Sequence, residues 1–272
     1  MPELPEVETI VQDLKKKILG ETSETVKILD ARVIRGLSAR SFVQKIQNQR
    51  IHDIQRRGKA IIMTLVPSQK FFVVQVMMTG QLVVRSIPDS LPATKIIFRL
   101  FNQKYLHYND QRLFGRLQVV DQLEELKYFR VLGPEPFSRA FNPEQIKSTI
   151  KKRKMPIKPL LMDHTFVAGV GNIYASEILF AAGIHPQRSA DSLDDQEIIK
   201  LRDLTRMVLK KAIAGRGTSM RDYRDSNGEK GNFKEQIQVY GREDERCPRD
   251  QSLIQRIVLR GRSTFFCKAC QQ

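Results

Sequence analysis

Three cysteines and one aspartate near the C-terminus carry the plainest chemistry in the chain. They are spaced C-x2-D-x16-C-x2-C: Cys247, Asp250, Cys267 and Cys270. Two paired knuckles on a hairpin are the usual layout for one tetrahedral zinc ion, and a carboxylate can stand in for a thiolate. A three-sulfur, one-oxygen site for a single structural Zn2+ is therefore expected. The alternative is a hairpin that has lost its metal and is held by packing of Ile254, Ile257, Leu259 and Phe265. Zinc is favoured, because three thiols at ligand spacing have no other evident use and so small a module has little core of its own. An odd cysteine count confined to this region does not suit a disulfide framework and points to a reducing compartment.

Positive charge is the second signal. Lys147, Lys151, Lys152, Arg153, Lys154 and Lys158 follow one another with no acid between them, and Arg256, Arg260 and Arg262 fall inside the hairpin. A charge run is usually a solvated helix face. Here 46 Lys and Arg against 30 Asp and Glu give a net charge of +16 over 272 residues, which favours phosphate contact and a nucleic-acid partner. The G-V-G-N turn ending at Asn172 could present backbone N–H groups to a phosphate at a helix start. At the other end of the chain Pro2, Glu3 and Glu6 stand at or just before the positive end of a helix. By itself, an N-terminal proline is only a helix-start residue.

The elements that must position these groups fall into three stretches. Val7, Ile10, Val11, Leu14 and Ile18 mark the opening helix, with Gly20 as its stop. Strand signals follow in VKILDARVI, KAIIMTL, FFVVQVMM, QLVVRS, TKIIFRLF, KYLHYND and GRLQVV, with no helices expected between them, up to about Leu132. That pattern predicts an antiparallel sandwich or barrel. After Gly133-Pro134-Glu135-Pro136 the character turns helical. The spacing predicts helices from Asn142 to before Pro156, from Pro159 to Asp163, from Ile173 to Ala182, and from about Leu193 to Ala214. Residues 215 to 233 read as a mobile polar loop, and the cysteine module occupies about 236–272. With 41% hydrophobic and 28% charged residues the chain is too apolar for disorder. No apolar run spans a bilayer, and no basic-then-apolar leader argues for secretion.

Taken together, MPELPEVET at the start, RRGK at 56–59, FVAGVGNIYASE at 166–177, QVYGR at 238–242 and GRSTFFC-x2-C at 261–270 resemble the formamidopyrimidine-DNA glycosylases. These are bacterial base-excision enzymes for oxidised purines, and the resemblance runs the whole chain in order. It implies an α+β multidomain fold. The N-terminal β-sandwich with its leading helix would take 1–132, a helix–two-turn–helix domain with the lesion-recognition loop 133–232, and a zinc-finger-like β-hairpin 236–272. It implies a glycosylase and AP lyase acting as a monomer on damaged double-stranded DNA in the bacterial cytoplasm, at the nucleoid and not at a membrane.

The resemblance also assigns roles. Pro2, once Met1 is removed, is the secondary amine that attacks C1′, and the positive helix end favours its neutral form. Glu3 is the acid/base, Lys59 contacts phosphate and helps β-elimination, and Glu6 lies near the flipped base. Asn172 and Arg262 grip the phosphates flanking the lesion, Arg262 being tied to δ-elimination, while Tyr240 and Arg153 touch the backbone. Met78, Arg112 and Phe114 fill the gap left by the extruded base, with Arg112 on the orphaned cytosine. The segment from Gly217 to Phe233 would cover the purine. Gln75, Ala93-Thr94-Lys95, Gln111, Leu113 and Asp250 depart from the family's usual residues. Two other functions compete. An endonuclease VIII-like enzyme for oxidised pyrimidines is opposed by ELPE at the start, where that branch has EGPE. A damage-binding protein without chemistry is opposed by the intact Pro2 and Glu3.

Overall fold

The computed structural model describes residues 1–220 and 223–272. They form two compact units, Met1–Arg130 with Gly215–Lys234, and Val131–Ala214 with Glu235–Gln272.

The first unit opens with α1 (Leu4–Ile18), then β1 (Ser23–Ile28), α2 (Ala39–Ile46), β2 (Arg50–Arg57), β3 (Ala60–Val66), β4 (Lys70–Gln75), β5 (Gly80–Arg85), β6 (Thr94–Leu100), β7 (Tyr105–Asp110) and β8 (Arg116–Val120). Two four-stranded antiparallel sheets result, ordered β1-β6-β7-β5 and β2-β3-β4-β8. Alternate residues of both sheets, among them Ile54, Met63, Phe72, Val74, Ile96, Phe98 and Leu106, share one core with Val7, Ile10, Val11, Leu14 and Ile18 of α1. This is the expected sandwich with a leading helix. On the outer face of the second sheet, Ala60, Ile62, Val73 and Val120 are covered by Leu123 and Leu126 and by Tyr128 and Phe129 of α3 (Lys127–Val131).

Two elements correct the sequence reading. Strand β2, RIHDIQRR, carries no apolar alternation beyond Ile51 and Ile54, and a bulge between Ile51 and Asp53 breaks its period. Its partner β3 pairs it regardless, because sheet hydrogen bonds use the backbone. Helix α2 interrupts the strand block where no helix was expected. Ser38 caps it, accepting from Ser41 N at 3.2 Å, and only Phe42 and Ile46, one turn apart, are buried.

The second unit contains α4 (Pro143–Ile150), α5 (Ile157–Leu161), α6 (Asn172–Ala182), α7 (Asp195–Ala214) and a hairpin of β9 (Gln255–Leu259) and β10 (Arg262–Phe266). Helix α5 begins two residues before the expected Pro159, because Pro156 is its N-cap and Pro159 falls in the first turn, where no N–H is needed. Asp194 and Glu197 cap α7 reciprocally at 2.8 and 3.0 Å. The hairpin module packs through Val239, Cys247, Ile254, Phe265 and Cys267 onto Phe180 of α6. Arg249 stacks 4.2 Å over the Phe180 ring and donates to the Phe180 and Ala181 carbonyls, so a cation closes the negative end of α6. Among the described residues no helix is long and apolar enough to cross a membrane.

Candidate functional site

In the first unit, Pro2 is buried at the mouth of α1 and Met1 is exposed. Glu3, 4% exposed, is the N-cap. Its backbone N–H donates to Glu6 Oε2 at 2.7 Å, and the other Glu6 oxygen accepts from Thr218 N at 2.7 Å. Both carboxylates thus lie where N–H dipoles favour anions, and the 2% exposed Glu6 links α1 to the 215–233 segment.

Lys59 stands on the two-residue turn between β2 and β3, where Arg57 faces Ala60. Gly58 takes φ +60°, as a type II′ turn requires of its first residue. Two anchors fix the turn. Lys59 N donates to the Tyr128 hydroxyl at 2.9 Å. Arg56 donates to the Gly58 carbonyl at 3.1 Å and pairs with Glu8 of α1 at 2.7 Å. The helix that follows Pro2 and the turn that carries Lys59 are therefore joined by an ion pair the sequence reading does not single out.

Met78, Arg112 and Phe114 surround a second turn and are all exposed, Phe114 at 47% and Met78 at 38%. The Arg112 guanidinium stacks 4.8 Å from the Phe114 ring centre. Asp110, at the end of β7 and wholly buried, organises the turn. Its Oδ1 accepts from Thr79 Oγ1 at 2.5 Å and Arg112 N at 3.3 Å, and its Oδ2 from Gly115 N at 2.7 Å and Tyr108 Oη at 3.3 Å. Burial, then the Asp110 charge, pushes the Tyr108 phenol far above its ordinary value, so it remains a donor. An acid closing a strand a few residues before glycine is the sequence signal for this Asx-type turn.

In the second unit Asn172 begins α6, and its amide nitrogen donates to Ser263 O at 3.0 Å and to Tyr240 Oη at 3.4 Å. Glu177, one and a half turns further along α6, accepts the N–H groups of Gln238, Val239 and Tyr240 at 2.8 to 3.0 Å. Burial raises its carboxyl above the ordinary range, and those three N–H groups oppose the shift. Asn172, Tyr240 and the hairpin residue next to Arg262 thus form one cluster. Arg262 itself is exposed, flanking a turn in which Arg260 and Gly261 both take positive φ, as type I′ demands.

The lysine-rich run is reassigned in part. Lys158 is 1% exposed and donates to Ser263 O at 3.0 Å and Thr264 Oγ1 at 2.8 Å, so it anchors the hairpin and cannot reach a phosphate on the surface. Acids absent from the run arrive in space: Lys147 pairs with Asp195 at 2.5 Å, and Arg153 with Asp163 at 3.6 Å. Residues 221 and 222 of the expected lesion-recognition loop lie outside the described residues.

One ligand atom from each of Cys247, Asp250, Cys267 and Cys270 lies within 4.8 Å of the others. Cys247 and Cys270 sulfurs are 3.8 Å apart, and Cys267 Sγ is 3.5 Å from the Asp250 carboxylate. A tetrahedral zinc with three sulfurs and one oxygen would set these separations at about 3.8 and about 3.5 Å, from bond lengths of about 2.3 and about 2.0 Å. Burial first, then the neighbouring sulfurs, pushes the Cys270 thiol up to about 12, and Cys247 is raised too. A cation at the centre would let all three sulfurs ionise together. Ser252 Oγ donates to Asp250 Oδ1 at 2.8 Å and fixes the carboxylate from outside. The residues present therefore fit a metal ion.

Comparison with known proteins bears on both units. The profile of the formamidopyrimidine-DNA glycosylase N-terminal domain matches residues 1–117, and that of the formamidopyrimidine-DNA glycosylase H2TH domain matches 132–223. The formamidopyrimidine-DNA glycosylase of Desulfitobacterium hafniense is 40% identical over 274 residues, covering 100% of both chains. The MutM (Fpg) structure from Thermus thermophilus superposes with a TM-score of 0.89 at 36% identity, covering 99% of this chain and 98% of its own. The Lactococcus lactis Fpg complex with DNA containing an abasic site does so with a TM-score of 0.92 at 31% identity, covering 99% of each. Matches across both units, in sequence and in fold, leave one assignment: this chain belongs to the formamidopyrimidine-DNA glycosylase family.

Proposed function

We propose that the chain removes oxidised purines, 8-oxoguanine and formamidopyrimidines, from damaged double-stranded DNA, and then cuts the strand at the resulting abasic site by β,δ-elimination. The observation that carries this reading is the start of α1, where Pro2 and Glu3 are buried side by side and Glu6 fixes both the helix start and Thr218. Removal of Met1 turns the Pro2 nitrogen from an amide into a secondary amine. Its lone pair attacks C1′ and the C1′–N9 bond breaks with its electron pair leaving on the base; the nitrogen then gives up its proton, the C1′–O4′ bond opens with its electron pair on O4′, which takes a proton, and an iminium is left between proline and the opened sugar. Glu3 carries the protons of base loss. Abstraction of the C2′ proton, helped by Lys59, expels the 3′ phosphate, and a second elimination expels the 5′ phosphate.

Asn172, Arg262, Tyr240 and Arg153 hold the backbone phosphates, and Met78, Arg112 and Phe114 enter the gap in the duplex, Arg112 facing the orphaned cytosine. The exposure of these last three, with the Arg112 guanidinium stacked on the Phe114 ring, supports that role. Zinc at Cys247, Asp250, Cys267 and Cys270 serves structure by tying down the base of the hairpin that presents Arg262. The functional division is a catalytic sandwich (1–132), a helix–two-turn–helix region with the lesion-recognition segment (133–232) and a zinc-finger hairpin (236–272). The chain acts as a monomer in the bacterial cytoplasm, at the nucleoid.

A lesion panel tests the substrate class. Duplexes carrying 8-oxoguanine, formamidopyrimidine or thymine glycol are incubated with the processed chain, and strand breaks are resolved on a gel. Cleavage at the two purine lesions ahead of thymine glycol is expected. Faster cleavage at thymine glycol would move the chain to the pyrimidine-specific branch, and salt-sensitive binding without any breaks would remove the chemistry altogether.

A further inference from the structure

Helix α1 shows a second face whose polarity the sandwich does not explain. Glu6, Asp13 and Lys17 recur at helical spacing, and Glu6 and Asp13 are 2% and 5% exposed. Each touches the segment that follows α7. Glu6 accepts from Thr218 N, Asp13 pairs with Arg216 at 2.6 Å, and Lys17 donates to Ser226 O at 3.0 Å and to Asn227 Oδ1. Arg216 also bonds Asp225, which is 1% exposed. One guanidinium thus bridges two buried carboxylates, one on the helix that starts at the nucleophile and one deep in the lesion-recognition segment.

The backbone at this point is unusual. Arg216 takes φ +58°, a left-handed conformation that costs a non-glycine residue about 1 kcal/mol. Gly217 follows at φ +76°, and a Cβ there would lie 2.7 Å from Glu6 Oε1. Glycine would be the easy choice at 216 too. An arginine held there against its backbone preference is over-determined by the two carboxylates, which orient the guanidinium and the turn together. The two ends of the segment are stitched to each other by Phe233 N to Gly217 O at 3.1 Å and Asn232 N to Gly215 O at 2.9 Å, so the clamp seats both at once.

We propose that Arg216, through Asp13 and Asp225, is a positioning residue for base excision: it registers the lesion-recognition segment against the helix bearing Pro2 and Glu3. This rests on the reading that the segment contacts the extruded base. Chemistry on an abasic site has no base to hold, so it does not need that register. The clamp should therefore matter for excision and hardly at all for strand cleavage at a preformed abasic site.

The test uses Arg216→Ala, Arg216→Gly and Arg216→Lys in the full chain. Single-turnover excision of 8-oxoguanine is compared with cleavage of the same duplex carrying an abasic site. Arg216→Ala and Arg216→Gly should lose roughly tenfold or more in excision, with abasic-site cleavage within about twofold of the parent. Arg216→Lys should fall between, since it keeps the charge without the two-sided reach. The glycine variant relieves the backbone strain, which keeps the result readable should the alanine variant fold poorly. Equal losses in both activities would make Arg216 merely structural and overturn the proposal, as would no loss in either. If the parent chain cleaves abasic DNA but excises no lesion, the reading of the segment fails instead.

Discussion

Replacing Asp110 with asparagine changes one buried oxygen to a nitrogen and should disable the turn that carries Arg112 and Phe114. Each Asp110 oxygen accepts two hydrogen bonds, from Thr79 and Arg112 on one side and from Tyr108 and Gly115 on the other. Asparagine offers one acceptor oxygen, so in either orientation its NH2 group faces one backbone N–H, which loses this acceptor, and one hydroxyl, which must turn round to accept. Hydrogen bonds to a charged acceptor contribute about 1.5–3 kcal/mol each, and a buried donor left alone costs about 1–3 kcal/mol. With partial relaxation a loss of about 3 kcal/mol is expected, enough to lower the melting transition of the first unit by roughly 6–10 °C. The turn also requires glycine at 115, since a Cβ there would lie 1.6 Å from the Tyr108 hydroxyl. The functional readout is single-turnover excision of 8-oxoguanine opposite cytosine and opposite adenine, well below the melting range. A directed arginine contact to a base discriminates by about 1–3 kcal/mol, so the cytosine-to-adenine ratio should fall by roughly fivefold or more. A D110N chain that melts within a degree of the parent and keeps its ratio would show that Asp110 does not hold this turn.

Other consequences follow from the same contacts. Arg56→Met breaks the Glu8 pair and the Gly58 anchor; abasic-site cleavage should drop roughly tenfold through misplacement of Lys59, with duplex affinity, read by fluorescence anisotropy, nearly unchanged. Metal analysis of chain purified without chelator should find one zinc per chain, and stripping it should weaken duplex binding while the helical circular dichroism of the rest persists. Burial raises the Asp225 carboxyl, but bonds from Arg216 and from the backbone of Glu229 and Asn227 outweigh it, leaving it below its ordinary 3.8. The native state therefore holds the anion, and its stabilisation is present above pH 3.8 and lost as pH falls through the lower folded value. Asp225→Asn should lose less stability than the parent as pH is lowered from 5 to 3 in urea titrations, and parallel curves would count against the clamp.

What the sequence disclosed follows from where the stabilising contacts lie. Helix α1 was legible because its capping box, apolar stripe and glycine stop are local, and α6 because it is an almost wholly apolar run that Gly183 ends in the left-handed conformation at φ +73°. Strand β2 was not, since its membership depends on backbone pairing with β3 and its side chains are mostly solvated. The convergence of Cys247, Asp250, Cys267 and Cys270 could be read from spacing alone, because two paired knuckles on one hairpin bring their ligand atoms together. Lys158 read as surface charge because its partners, Ser263 and Thr264, lie a hundred residues away in the hairpin. The stripe of Glu6, Asp13 and Lys17 is hidden for the same reason: nothing near α1 announces Arg216. Paired buried charges are a tertiary fact, and only the folded chain displays them.

The proposed chemistry turns on a bond between the Pro2 nitrogen and the sugar. The direct measurement is to incubate the Met1-processed chain with 8-oxoguanine duplex and sodium borohydride, then map the trapped adduct by mass spectrometry of the digested complex. A reduced cross-link on the peptide beginning at Pro2 is expected, and no cross-link when Met1 is retained. An adduct on Lys59 or elsewhere, or strand cleavage by the processed chain with no trappable species, would contradict that chemistry.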